Sequence, residues 1–294
     1  MKYGKKYGKK YGNKCGKKYG QQVIMDNNKE KEKLNKALNF WQDVLKMIWL
    51  LALYSCIYYA FPVVSAFFGL HGNIVNYLGI ASYLVSGGVV FFLLPKEHRN
   101  MRPRIKTGET ATFAESFLLS LAVIMISLGT AYFLNRGFGI IPWDKILPAD
   151  AVYSSDYAFQ IPLRVSLPAY GIVAPFAEEV AFRGILFKYL SKWMNIIPAI
   201  LISAVIFGLY HGNVMQGIYA FLMGVLLALM MHLTDSLAGS AICHMSANIL
   251  VTLYANIPEF YAVLMSVPGM LVMGVITAAG IVLFTVMKKR GKNQ

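Results

Sequence analysis

Two adjacent carboxylates, Glu178 and Glu179, precede a cation, Arg183, inside an apolar stretch long enough to cross a bilayer. An ionised side chain at the centre of a spanning helix costs about 2.5–3.5 kcal/mol on insertion scales, so such residues are read first as a functional site. Two histidines, His211 and His244, fall in two later apolar stretches. A carboxylate and imidazoles at membrane depth are groups that take a proton from water and pass it on, which makes hydrolysis the chemistry to consider.

Spacing divides the roles. On an α-helix Glu179 and Arg183 are i and i+4, acid before base, and should pair. Glu178 lies about 140° further round at 3.6 residues per turn, which leaves it to face a cavity as the general base. The rival reading makes all three residues a staple between helices, but buried ion pairs contribute little once desolvation is counted. His244 and Asn248 repeat the i, i+4 spacing, and an imidazole beside a carboxamide can orient water or stabilise an oxyanion. Phe207 and His211 repeat it again, setting an aromatic ring against an imidazole. A His-Glu-x-x-His motif is absent, which excludes a conventional zincin site. Glu178, His211 and His244 still offer three N/O ligands and an open position to a divalent metal, zinc by donor type. Water activation by Glu178 without a metal is an equal reading. His71 and His98 in loops and His232 at a helix end carry no role.

The elements that must position these residues are helices in a membrane. A hydrophobic content of 57% against 14% charged residues and a mean hydropathy of +0.52 exclude an ordinary soluble domain and point to an all-α polytopic membrane protein. Eight transmembrane helices are expected, at about 44–70, 73–94, 113–134, 166–190, 196–211, 214–233, 237–254 and 260–287. Spans four to seven hold Glu178, Glu179, Arg183, His211 and His244, so the active site belongs to a four-helix core. One difficulty follows: Glu178 and His244 fall near mid-membrane, but His211 falls near the outer end of its span. Pro175 is expected to kink span four and open it to water.

The net charge of +14 does not indicate a nucleic-acid partner, because Lys and Arg gather in the N-terminal tail, the loop 96–106 and the cluster 288–292. Those are membrane-flanking positions, and the positive-inside rule places both termini in the cytoplasm of a multi-pass protein of the cell membrane. Residues 1–43 read as a cytoplasmic basic tail plus an amphipathic helix, and 44–290 as the membrane domain. Within the tail, residues 2–21 are four-residue units of the type Lys-Tyr-Gly-Lys, expected to be disordered in water. Leu34, Leu38, Trp41 and Leu45 then recur at helical spacing, as in a helix lying in the bilayer interface. The connection 135–164, with Pro142, Pro148 and Pro162, is expected to lie on the outer face in short helical pieces. Cys15, Cys56 and Cys243 show no Cys-x-x-Cys spacing and imply no disulfide framework or zinc knuckle.

Glu178-Glu179-x-x-x-Arg183, Phe207-x-x-x-His211 and His244-x-x-x-Asn248, in this order over about 168–254, resemble the signature of the CPBP family, the CAAX prenyl endopeptidases and bacteriocin-processing or immunity proteases also called Abi. The resemblance implies an eight-helix intramembrane endopeptidase acting on membrane-associated or prenylated proteins and peptides, with roles in peptide maturation or bacteriocin self-immunity. By this resemblance Glu178 activates water, His211 and His244 assist it or bind a metal, Asn248 stabilises the oxyanion, and Glu179 with Arg183 supports the site. Two other classes compete with it. A non-catalytic scaffold or immunity protein of the same fold would not need Glu178. An ion-coupled transporter would also use intramembrane Glu and His, but the paired internal repeats common in transporters are not seen in the sequence.

Overall fold

The computed structural model describes residues 4–105, 112–147 and 161–290, with side chains from residue 28 onward except that of Asp144. Among these residues there are helices and no strands. The chain divides into two units, Met1–Ile48 and Trp49–Gln294; every packing contact discussed below lies in the second.

Helix α1 (Gly4–Phe67) begins inside the repeat tail. The backbone from Gly4 is thus helical where disorder in water was expected, while the tail side chains lie outside the described residues. Extending a helix that already exists avoids the unfavourable nucleation step, and a four-residue repeat returns each residue type to nearly the same face. Further along, Leu34, Leu38, Trp41 and Leu45 are left uncovered by protein, as an apolar face turned to a bilayer interface would be.

Helices α2 (Asn73–Leu93) and α3 (Phe113–Ile140) follow. Thr112 starts α3 with a capping box, its hydroxyl accepting from the Glu115 amide while the Glu115 carboxylate accepts from the Thr112 amide. A short turn at Trp143–Lys145 continues the outer connection, and the Trp143 indole N–H donates to the Phe138 carbonyl at 2.8 Å. The remainder of that connection, with Pro148, is outside the described residues. Residues 163–193 form one winding run, α4, which alternates α and π geometry. Helices α5 (Ile196–Tyr210), α6 (Val214–Thr234), α7 (Leu237–Asn256), α8 (Pro258–Met265) and α9 (Val267–Arg290) complete the unit.

Among the described residues, six helices are long and apolar enough to cross a membrane: 28–67 within α1, then α2, α3, α6, α7 and α9. The protein is an all-α polytopic membrane protein, and two of the eight expected spans take other forms. The span at 166–190 is not a regular α-helix, because π turns interrupt it. The span at 196–211 is a 15-residue helix rising about 22 Å, short of the ~30 Å hydrocarbon core. This shortness bears on the depth of His211, since a helix that starts at one face and stops early leaves its last residues inside the membrane. The last span also starts later than expected, because α8 and α9 are separated at Ser266.

Helix α7 is the axis of the second unit. Its apolar window is 61% buried, the largest share among the six, and it packs against α3, α6 and α4. At one end, Asp235 between α6 and α7 pairs with Arg104 at 2.9 Å and Lys188 at 3.2 Å. The Asn100 carbonyl accepts from the Leu237 amide and the Ser236 hydroxyl. The basic loop 96–105 and the Lys188 turn therefore sit at the same end, as their shared positive charge requires.

Helix α2 approaches α4 through Gly87, where a Cβ would stand 2.7 Å from the Ala177 Cβ and 2.8 Å from its Cα. No real side chain fits that gap. Gly87→Val should lower the thermal unfolding midpoint in detergent, at a cost of about 1–3 kcal/mol for overpacking. Gly88→Ala, where a Cβ meets open space, should leave the midpoint unchanged or slightly higher.

Candidate active site

The winding of α4 sets the site. Residues 169–173 form a π turn in which the Ala174 amide donates to the Ala169 carbonyl, five residues back. The next residue in line is Pro175, which has no N–H, so the Tyr170 carbonyl is left without a helical donor. The Asn248 side chain fills that position, its amide donating to Tyr170 O at 3.0 Å. Pro175 thus marks a real irregularity, and Asn248 ties α7 to it. One of the two Asn248 amide hydrogens is committed in this way.

A second π segment spans Val180–Phe187. A π turn bonds i to i+5, so a residue five before Arg183 is rotated less far from it than α geometry implies. The sequence expectation turned Glu178 about 140° away. In the structure both carboxylates lie within electrostatic reach of Arg183, and both approach the same histidine, His244. Carbonyls in the π segment find side-chain donors: the Ser203 hydroxyl donates to Phe182 O at 3.3 Å and the His98 Nδ1–H to Gly184 O at 3.0 Å. His98, read from sequence as a plain loop residue, is buried against Tyr189 and braces this turn.

Glu179 and Arg183 are fully buried and paired as the spacing predicted, Arg183 Nη1 to Glu179 Oε1 at 2.8 Å. The pair is part of a larger network. His244 Nδ1–H donates to the same oxygen at 2.9 Å, and the Ser240 hydroxyl donates to the other, Oε2. Arg183 continues to α6, its Nη2 donating to the Gly224 carbonyl at 3.2 Å, and its guanidinium lies 4.3 Å from the centre of the Phe207 ring on α5. Ser240 was missed from sequence, although Ser240, His244 and Asn248 recur every four residues and so share a face of α7.

With Nδ1 held by Glu179, the other ring nitrogen of His244 points toward Glu178, Nε2 to Oε2 at 3.8 Å. That separation is too long for a direct hydrogen bond and suits a bridging water at about 2.8 Å from each group. Glu178 and His244 are both nearly excluded from solvent, at 7% and 5% exposed. The arrangement is carboxylate, imidazole, carboxylate: one acid orients the ring and the other faces its free nitrogen.

His211 caps the end of α5, where Gly212 at φ 67° reverses the chain and Asn213 opens α6 by accepting from the Gln216 amide. Its Nδ1–H donates to the Phe207 carbonyl at 2.8 Å, leaving Nε2 as its available nitrogen. The Phe207 ring packs edge-on to both imidazoles, with centroids 4.8 Å from His211 and 5.6 Å from His244. So the two histidines meet across an aromatic ring. Among the described residues, no three His, Cys, Asp or Glu side chains gather at metal-ligand spacing, and the side chains as placed do not fit a zinc ion.

The network makes a stability prediction. Arg183→Ala leaves the Glu179 carboxylate buried without its cation and should cost about 3–5 kcal/mol. The double variant Glu179→Gln, Arg183→Met removes both charges and should unfold at a higher temperature than Arg183→Ala alone, measured by thermal unfolding in detergent.

Residues 160–250 match the family described as type II CAAX prenyl endopeptidase Rce1-like. No curated protein and no solved structure matches the chain. The matched segment contains Glu178, Glu179, Arg183, Phe207, His211, His244 and Asn248, the residues whose spacing carried the resemblance and most of which the fold gathers around His244. Over that segment, the chain is similar to the CAAX prenyl endopeptidases.

Proposed function

We propose that this protein is an intramembrane endopeptidase that hydrolyses peptide bonds in membrane-associated or prenylated proteins and peptides, using a water activated by Glu178. The observation that carries the reading is the placement of Glu178 opposite the free nitrogen of His244, while Glu179 fixes the other nitrogen of the same ring. The family match supports the reaction class. Peptide maturation or self-immunity at the cytoplasmic membrane is the biological setting we infer, with both termini in the cytoplasm.

In this reading water sits between Glu178 and His244. Glu178 takes one proton as the water oxygen bonds to the scissile carbonyl carbon, and the carbonyl oxygen becomes an oxyanion. The tetrahedral adduct then expels the amine, which receives the proton from Glu178. His211 Nε2 and the second Asn248 amide hydrogen are available to hold water or substrate. A divalent metal, if bound, would be held by Glu178, His211 Nε2 and His244 Nε2 and would polarise the water instead.

The test is cleavage of a fluorogenic farnesylated Cys-a-a-X peptide by purified protein, alongside the membrane peptidome of cells. Glu178→Gln should reduce turnover by about 10²–10⁴-fold, the usual worth of a general base, and precursors should accumulate. His244→Ala and His211→Ala should also lose cleavage while the protein still inserts. Full turnover by Glu178→Gln overturns the reading, and an intact cellular phenotype in that variant favours a non-catalytic scaffold. Treatment with 1,10-phenanthroline should leave turnover unchanged; loss that added zinc restores would establish the metal alternative.

A further inference from the structure

Loop 95–104, between α2 and α3, lies outside the segment that matches the protease family, yet it grips the two helices that carry most of the site. Toward α4, the buried imidazole of His98 donates from Nδ1 to the Gly184 carbonyl at 3.0 Å, one residue past Arg183. Its ring packs edge-on to Tyr189, with centroids 4.9 Å apart. Toward α7, the Asn100 carbonyl accepts from the Leu237 amide at 2.8 Å and from the Ser236 hydroxyl at 2.9 Å. The Asn100 side-chain amide donates to the Asp235 carbonyl at 2.7 Å. Leu237 stands about one turn before Ser240 and two turns before His244. His98 and Asn100, two positions apart in the chain, therefore join the backbone beside Arg183 to the start of the helix that carries His244.

The bond to Gly184 has a local cause. The Lys188 amide, which α geometry would give to the Gly184 carbonyl, turns instead to the carbonyls of Arg183 and Ile185 at the end of the π segment. The His98 N–H meets the carbonyl that this shift displaces. Because the acceptor is a carbonyl oxygen, Nδ1 carries the proton. Gly184 lets the loop come this close, since a Cβ there would stand 2.8 Å from Leu94 Cδ1. The neighbouring Arg183 pairs with Glu179, and Glu179 fixes the ring of His244. A donor that keeps the Gly184 carbonyl off the α ladder opposes rewinding of this turn, which would rotate Arg183 away from its partners.

We propose that His98 is a positioning residue for hydrolysis: its N–H keeps the π turn wound so that Arg183, Glu179 and His244 stay aligned with Glu178. The inference rests on the protease reading and adds to it a residue that acts through Arg183 and not on the substrate. The loop has a fixed base from which to do this. Beyond Asn100, the Arg104 amide donates to the Thr234 carbonyl at 2.9 Å, and the Arg104 guanidinium pairs with Asp235 at 2.9 Å. The role belongs to the donor and not to the bulk of the ring, which makes it separable from packing.

The experiment compares His98→Phe and His98→Asn in the full chain, with the farnesylated Cys-a-a-X peptide as probe. Phe fills the place of the ring and has no donor, whereas the Asn side-chain amide carries an N–H close to where Nδ1–H stands. His98→Phe should lower kcat about tenfold or more with KM within about twofold, as misplacement of catalytic groups does. His98→Asn, although it leaves more space against Tyr189, should recover most of the lost kcat. Glu97→Gln, at an exposed neighbour in the same loop, is the control and should keep kcat. A packing role gives the reverse order, Phe more active than Asn, and overturns the proposal. An equal loss in both variants, or an unchanged kcat in His98→Phe, also overturns it. With Glu178→Gln inactive, each of these outcomes leaves the protease reading standing. Activity in Glu178→Gln removes the reading and this proposal together.

Discussion

A carboxylate sealed from water must have every lone pair direction answered from within the protein, and Glu179 imposes that demand on four helices at once. Its two oxygens take donors from Arg183, His244 and Ser240. Arg183 in turn is held by the Gly224 carbonyl of α6 and the Phe207 face of α5. Removing Arg183 leaves the buried Glu179 charge uncompensated, which is far costlier than never having buried the pair. The network therefore contributes position more than stability: it sets the rotation of α7 against α4, and with it the direction in which His244 Nε2 points.

The two π segments of α4 make this arrangement possible. Glu178 and Glu179 close the α segment Ala174–Glu179, and the wider turn that follows brings Arg183 round toward both. Such turns also displace carbonyls from the regular α ladder, and in a membrane these need other donors. Asn248, Ser203 and His98 answer three of them, at Tyr170, Phe182 and Gly184. These donors come from three different parts of the chain, so the irregular helix is also the element that α5, α7 and the basic loop all grip.

Much of the site is legible in sequence because i, i+4 spacing is a property of the α-helix itself. Glu179 with Arg183, Phe207 with His211 and the face shared by His244 and Asn248 follow from it. The π turns are not legible, since no residue period encodes them; Pro175 gives the location of the irregularity and not its form. Asn248 illustrates the limit, as its spacing was read toward chemistry and its observed partner is a carbonyl that Pro175 leaves over. Hydropathy identifies six spans well, because length and apolarity are additive along the chain. It does not reveal where geometry departs from a straight α-helix, at 163–193, or that the helix at 196–210 is short.

Glu178 and Glu179 are chemically identical neighbours, and what separates them is the supply of donors. Around Glu179 the donors are in place and saturated, with Arg183, His244 and Ser240 all turned to it. Around Glu178 the imidazole that approaches stops short, His244 Nε2 at 3.8 Å. A carboxylate whose lone pairs are fully engaged is a poor base, since taking a proton means giving up hydrogen bonds. One whose lone pairs are not all engaged can accept a proton without giving up such bonds. Uneven satisfaction within a pair of adjacent acids is thus a structural difference that sequence cannot express, and the proposed division into support and reactivity rests on it.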